Sequence, residues 1–127
     1  MKRYCRWPLS CLIAGVMLLS GAVVAGQADV LKVTAEKTAA HRYRIVVTMR
    51  HGDSGWSHYA DRWEVLGPKD KILATRILHH PHVDEQPFTR ELGKVKLPAT
   101  LTWIRVRAHD RLHGYGGRRV TISLPED

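Results

Sequence analysis

Apolar and polar residues alternate along most of the chain after residue 28. The alternation is clearest over residues 41–50, where Tyr43, Ile45, Val47 and Met49 share one face and mostly polar residues share the other. A period of two is typical of β-strands with one buried face. The same pattern predicts six further strands, over residues 30–37, 59–66, 71–78, 87–92, 101–109 and 118–124.

Turn-forming residues separate these predicted strands. Residues 67–70 read Gly-Pro-Lys-Asp, and Pro98 interrupts the connection 93–100 after the fifth strand. Seven short strands in about 100 residues predict one all-β domain over 29–127, an antiparallel sandwich of immunoglobulin-like or fibronectin III-like type. Trp63 on the third strand is the large aromatic that such a core is expected to bury.

The N-terminal segment has the order of a secretory signal. Basic residues precede an uncharged apolar run over 9–25, and small residues follow it. This order predicts a signal peptide over 1–28, cleaved after Ala25 or after Ala28. An uncleaved membrane anchor stays open as the alternative, because the apolar run is close to the length that spans a bilayer.

Removal of this segment changes what the composition implies. The chain has 127 residues, a net charge of +8, two cysteines and eight histidines. Residues 1–28 contain both cysteines and three basic residues, so the remaining domain has no disulfide and a smaller positive charge. Export to the periplasm or beyond argues against nucleic acid as a natural partner, and cleavage leaves no membrane span. The eight histidines all remain.

Seven of the eight histidines are predicted to lie at one end of the sandwich. Successive antiparallel strands reverse direction, so the connections between strands two and three, four and five, and six and seven share an end. His41 alone falls at the opposite end. The seven in or beside these connections are His51, His58, His79, His80, His82, His109 and His113.

The same end holds four carboxylates, on Asp53, Asp84, Glu85 and Asp110. Imidazoles and carboxylates without a thiolate form a ligand set that suits Zn²⁺, Cu²⁺ or Ni²⁺. His80 and His82 point the same way in an extended segment, and Pro81 between them restricts the loop. We expect these two to bind one ion, with a third ligand from His51, His58, His109 or His113, and His79 within the same candidate set. The alternative is that the histidines bond to backbone carbonyls and fix the loops.

Two loop motifs complete the candidate features. Residues 52–55 read Gly-Asp-Ser-Gly, which resembles the nucleophile motif of chymotrypsin-like proteases, but the chain is too short for that fold. We therefore expect no enzyme. Tyr115 in a glycine-rich stretch and Trp56 are predicted to contact a partner, unless they fold back on the domain.

Charged side chains are expected to pair across strands on a solvated sheet face. They are Arg62, Arg105, Arg107 and Glu64.

Three segments resemble a family of small exported bacterial proteins of unassigned function. They are HGDSGWSHYADRWEVL over 51–66, HPHVDEQPFTR over 80–90 and RAHDRLHGYGG over 107–117. The resemblance implies a compact exported domain and no particular ligand or activity. Two functions follow from the residues themselves: a non-enzymatic binder of a divalent metal, or a module that uses the same loops to hold an envelope protein.

Overall fold

A computed structural model describes residues 26–126. Within them the chain forms seven strands and one short 3₁₀ turn, Pro68–Asp70. No helix in this part of the chain is long and apolar enough to cross a membrane. The predicted signal peptide lies almost wholly outside the described residues. The strands are β1 Asp29–Ala39, β2 Arg42–Arg50, β3 Ala60–Leu66, β4 Ile72–Ile77, β5 Phe88–Lys96, β6 Trp103–Asp110 and β7 Val120–Ser123.

The strands form two antiparallel sheets, which confirms the predicted all-β class. One sheet has the order β1-β2-β5, and the other has the order β4-β3-β6-β7. The inward faces of both sheets contribute to one apolar core, in which Trp63 is fully buried as expected. Further fully buried core side chains from the two sheets are Val30, Ile45, Val47, Met49, Val65, Phe88, Ile104 and Val106.

β5 is longer than the sequence pattern predicts. The predicted strand ended at Leu92 because Gly93 breaks the alternation, but β5 continues to Lys96. Tyr43 pairs with Val95 and Ile45 with Leu92, so β5 contains one extra residue opposite β2. Lys94 takes a positive φ of 54° at this bulge. The bulge restores the inward direction of Val95, which is buried, and the predicted connection 93–100 was therefore wrong in its first half.

Three loops meet at one end of the sandwich, as the reversal of successive strands predicts. They join β2 to β3, β4 to β5, and β6 to β7. The segment before β1 crosses the same end: Val30 donates its N–H to the Arg118 carbonyl at 2.9 Å, and Asp29 accepts from the Arg118 N–H at 2.7 Å. Residues 26–28 are thereby placed against the three loops.

Glycines at 116 and 117 allow this close approach. A Cβ on Gly117 would lie 1.8 Å from the Ala28 carbonyl oxygen, and one on Gly116 would lie 1.9 Å from Gln27 Oε1. At Gly117 the clash is with backbone and no side chain fits, whereas at Gly116 the Gln27 side chain would have to move away. The glycine-rich stretch thus lets the N-terminal segment pack on the loop after β6, and Ala28 is buried in the core.

Candidate metal centre

Two histidines converge on one buried carboxylate at this end. His51 follows β2, His58 precedes β3, and Asp110 ends β6. The Nε2 atoms of both rings contact Asp110 Oδ2, His58 at 2.8 Å and His51 closer still. One ligand atom from each residue lies within 4.8 Å of the others. His51 and Asp110 are buried and His58 is partly exposed, so the cluster opens to solvent on the His58 side.

Asp110 uses its two oxygens for different purposes. Oδ1 accepts the backbone N–H groups of Leu112 at 2.6 Å and His113 at 2.7 Å, which closes the turn after β6. Oδ2 faces the two imidazoles. Burial raises the pKa of Asp110, but the N–H donors of His113 and Leu112 and the neighbouring His51 together outweigh it and lower that pKa. Asp110 is therefore a charged carboxylate at neutral pH.

Asp53 orients His51 from the other side of the ring. Its Oδ1 contacts His51 Nδ1 and accepts the Ala60 N–H at 3.1 Å, while Oδ2 accepts the His82 N–H at 2.6 Å. Burial lowers the pKa of His51, but hydrogen bonds with Asp53, Asp110 and the Gly26 carbonyl outweigh it, so the pKa is raised. A carboxylate behind a histidine is the usual support for a metal-ligating imidazole.

Two further groups line the rim of the cluster. The Gly26 carbonyl oxygen lies 3.0 Å from His51 Nε2 and 3.1 Å from His58 Nε2. The exposed His113 ring packs edge-on against His58, with centroids 5.1 Å apart. The cluster thus gathers imidazole nitrogens, a carboxylate and a carbonyl, which are donors that Zn²⁺ and Cu²⁺ accept.

His80 and His82, the pair that the sequence favoured, lie apart from this three-residue cluster. Their ring centroids are 4.6 Å apart, and His82 is buried in a parallel stack on Phe88. Neither ring nitrogen of His82 has a hydrogen-bond partner among residues 26–126, and Nδ1 is 3.9 Å from Asp53 Oδ2. Burial, helped by the charges of Arg90 and His80, lowers the pKa of His82.

The other predicted ligands take separate positions. His109 donates from Nδ1 to Asp61 Oδ1 at 2.6 Å and packs edge-on against Tyr115, on the outward face of β6. His79 is exposed, and His80 is exposed with Nδ1 3.1 Å from the Pro81 carbonyl. Strand reversal brings all these histidines to one end, but side-chain direction separates them.

Sequence reasoning named Asp110 and Asp53 as nearby carboxylates without placing them in the site. The signal for Asp110 was present: Ile104, Val106 and Ala108 alternate inward on β6, and Asp110 continues that phase. A charged residue on a buried strand face is rarely there without a partner. For Asp53 the sequence offers only its closeness to His51, since its other contacts are to the start of β3 at Ala60 and to His82 in the β4–β5 loop.

The predicted partner-binding aromatics differ in exposure. Tyr115 folds back: its hydroxyl contacts Glu64 and accepts from Arg62 at 2.6 Å, and the Arg107 guanidinium lies 3.9 Å from its ring centroid. Glu64 is buried by these contacts, so the expected solvated face is wrong at this position. Trp56 is 63% exposed and touches Tyr59 edge-on.

Comparison with known proteins finds a relative without an assigned activity. A protein of the archaeon Halomicrobium mukohataei named "Putative lipoprotein" is 35% identical over 97 residues. The match covers 76% of this chain and 47% of the relative, so the chain spans about half the length of the relative. The similarity points to an uncharacterised family, and because the relative is archaeal, the expected bacterial character is not confirmed.

No family model matches the chain. No solved structure matches it either.

Proposed function

We propose that this chain is an exported, non-enzymatic β-sandwich domain that binds one divalent transition metal ion, Zn²⁺ or Cu²⁺. The ligands are His51, His58 and Asp110, with His113 at the open rim. The observation that carries the proposal is the approach of three ligand atoms to within 4.8 Å of one another. They come from the two ends of the β2–β3 connection and from the last residue of β6. The relative's name supports export or attachment to the envelope.

The charges of the cluster favour a divalent ion. Asp53 and Asp110 are both buried carboxylates, and each contacts His51. Buried carboxylates need compensating positive charge. One imidazolium on His51 compensates one of them, whereas a divalent cation compensates both while the histidines stay neutral. Metal binding should therefore displace a proton from the cluster.

The architecture suits a site held by the sandwich rather than by a single loop. The fourth strand pairs with the third, as in fibronectin III-like domains, instead of joining the sheet of the first two strands as in constant-type immunoglobulin domains. The chain turns at residues 56–57 between the bridged residues Gly55 and His58, and Ser54 donates its N–H to the His58 carbonyl at 3.0 Å. The motif over residues 52–55 thus shapes the metal loop, in keeping with a binding role.

A metal titration of the exported protein tests the proposal. Above about pH 7, where free imidazole is neutral, we expect one Zn²⁺ or Cu²⁺ per chain in calorimetry and a rise in Tm of about 10 °C at saturating metal. His58→Ala should weaken binding by about 100-fold. His41→Ala, a histidine at the opposite end, is the matched control and should bind as the wild type does.

The proposal fails if neither ion gives binding heat or a Tm shift. It also fails if His41→Ala and His58→Ala lose the same affinity, because binding would then be adventitious. In that case His51 would be a structural imidazolium held between two carboxylates.

A second candidate function is a module that binds an envelope protein through the same end. Large apolar side chains are exposed on the three loops: Trp56, Val83 and Leu112. If they contact a partner, Trp56→Ala should reduce the amount of complex retained from envelope extracts. Ile72→Ala is the control, because Ile72 is similarly exposed but lies at the start of β4, at the opposite end. Equal retention by both variants would exclude this function.

A further inference from the structure

We propose that signal-peptide cleavage after Ala25 completes the metal site, because the new α-amine of Gly26 becomes a ligand beside the Gly26 carbonyl. The processed chain would then hold Cu²⁺ much more tightly than any form with residues before Gly26. This inference rests on the proposed metal-binding function.

Gly26 lies within the ligand cluster. Its carbonyl oxygen is 3.0 Å from His51 Nε2 and 3.1 Å from His58 Nε2, the two nitrogens that also face Asp110. A Cβ built on Gly26 would lie 2.9 Å from His113 Nε2 and 3.2 Å from His58 Cε1. The Gly26 nitrogen is one bond from the same Cα, so it lies within a few ångströms of these rings.

The position of Gly26 is fixed by the residues that follow it. Ala28 is buried in the core, and Gly117 leaves room for its carbonyl. Asp29 and Val30 bond to the backbone of Arg118. Cleavage after Ala28, the other predicted position, would remove a buried core residue and the carbonyl that contacts both histidines. The structure therefore favours cleavage after Ala25.

Hydrolysis changes the chemistry of the Gly26 nitrogen. Water breaks the Ala25–Gly26 peptide bond, its oxygen stays on the Ala25 carboxylate, and the Gly26 nitrogen becomes a primary amine. A peptide nitrogen is a poor ligand because its lone pair is delocalised into the carbonyl. The free amine has a localised lone pair and loses its proton when it binds a metal ion.

The amine and the carbonyl of one glycine can chelate the same ion. Nitrogen, Cα, carbonyl carbon and oxygen close a five-membered ring with the metal. Once no residue precedes Gly26, rotation about its Cα–C bond can aim the amine without moving the carbonyl. The lack of a side chain matters here, since a Cβ would collide with His113.

The added donor favours copper. With the amine, the site offers nitrogen from His51, His58 and Gly26 together with oxygen from Asp110. Sites rich in nitrogen and oxygen with tetragonal geometry favour Cu²⁺, which also binds such ligands more tightly than Zn²⁺ in general. The free amine should therefore increase Cu²⁺ affinity more than Zn²⁺ affinity.

The test compares the exported chain with a variant that has one serine inserted between Ala25 and Gly26. Mass spectrometry establishes the N-terminus of each. We expect the exported chain to begin at Gly26, and the insertion to lower Cu²⁺ affinity by about 100-fold and Zn²⁺ affinity by about 10-fold or less. Electron paramagnetic resonance of the Cu²⁺ form should show one coordinated nitrogen fewer in the variant.

Two controls separate this inference from the proposed function. Without metal, the insertion variant should have the same Tm as the exported chain without metal, which excludes a folding defect. If the insertion leaves Cu²⁺ affinity within twofold while His58→Ala lowers it by about 100-fold, the amine is no ligand and the metal site stands. If the exported chain begins at residue 29, the inference is overturned directly. If no form binds metal, both proposals fail.

Discussion

The four-stranded sheet contains two buried carboxylates that differ in whether their surroundings can bind a metal ion. Glu64 on β3 and Asp110 at the end of β6 are 1% and 0% exposed. Glu64 accepts from Arg62 and Arg107, each at 3.1 Å, and contacts the Tyr115 hydroxyl. Asp110 faces imidazoles instead. Burial of a carboxylate therefore says little about function until its partners are known.

The difference lies in whether the side chains around each carboxylate can lose a proton and then bind a metal ion. A guanidinium keeps its protons at all ordinary pH values and has no lone pair to offer a metal. Burial raises the pKa of Glu64, but Tyr115, Arg62 and Arg107 together outweigh it and lower that pKa. The Glu64 cluster is a closed ion-pair network. An imidazole that loses its proton becomes a ligand, so the Asp110 cluster can exchange protons for a metal ion.

Glu64→Gln should have the largest effect on folding. The substitution removes the counter-charge that partly buried Arg62 and Arg107 share, and only Arg62 keeps another carboxylate, Asp61 at 3.6 Å. We expect a loss of about 3 kcal/mol in the free energy of unfolding. Urea denaturation measures it, and metal affinity should not change. Glu36→Gln, which alters the exposed pair with Arg44, is the control and should cost less than about 0.5 kcal/mol. A change in metal affinity with Glu64→Gln would break the comparison.

Asp110→Asn should have the opposite effects, a large loss of metal affinity and a small loss of stability. The amide oxygen can still accept the N–H groups of Leu112 and His113, so the turn is kept. Without the charge, Zn²⁺ or Cu²⁺ affinity should fall by about 100-fold, while the metal-free protein loses only about 1–2 kcal/mol. Calorimetry measures the metal affinity, and urea denaturation of the same protein without metal measures its stability. Unchanged metal affinity would show that Asp110 is structural, like Glu64.

The stability that Glu64 contributes should decrease as the pH is lowered. Because the folded state lowers its pKa, the contribution is fully present above the unfolded value, about 4.3, and is lost as the pH falls through the folded value. The difference in unfolding free energy between wild type and Glu64→Gln should thus be constant near neutrality and shrink in acid. Urea midpoints measured across that pH range test this, and a difference that grows in acid would contradict it.

His82→Phe should have the smallest effect, and it tests the pair that the sequence favoured. The His82 ring nitrogens are buried without partners in the described part of the chain, and the ring stacks on Phe88. An apolar ring should therefore change stability by less than about 1 kcal/mol in either direction, since the backbone N–H still reaches Asp53. Calorimetry should find metal affinity unchanged. A loss of about 10-fold or more would make His82 a ligand.

The sequence by itself determined the strands and the end at which the chemistry gathers. Alternation is a local property, since successive side chains on a strand point to opposite faces whatever the rest of the chain does. Strand reversal then assigns each loop to an end, and His51, His58 and His113 follow from that rule. The predicted sixth strand ended at residue 109, and the structure extends the same alternation by one residue, which puts Asp110 on the buried face.

Only the tertiary structure decided which of these groups meet. His51 joins Asp110 and Gly26 across 59 and 25 residues of sequence, and Asp53 reaches His82 from another loop. The burial of Glu64 depends on Tyr115 folding back, and the length of β5 depends on a bulge set by pairing with β2. Such contacts depend on the register and packing of whole sheets, which no local pattern of residues encodes.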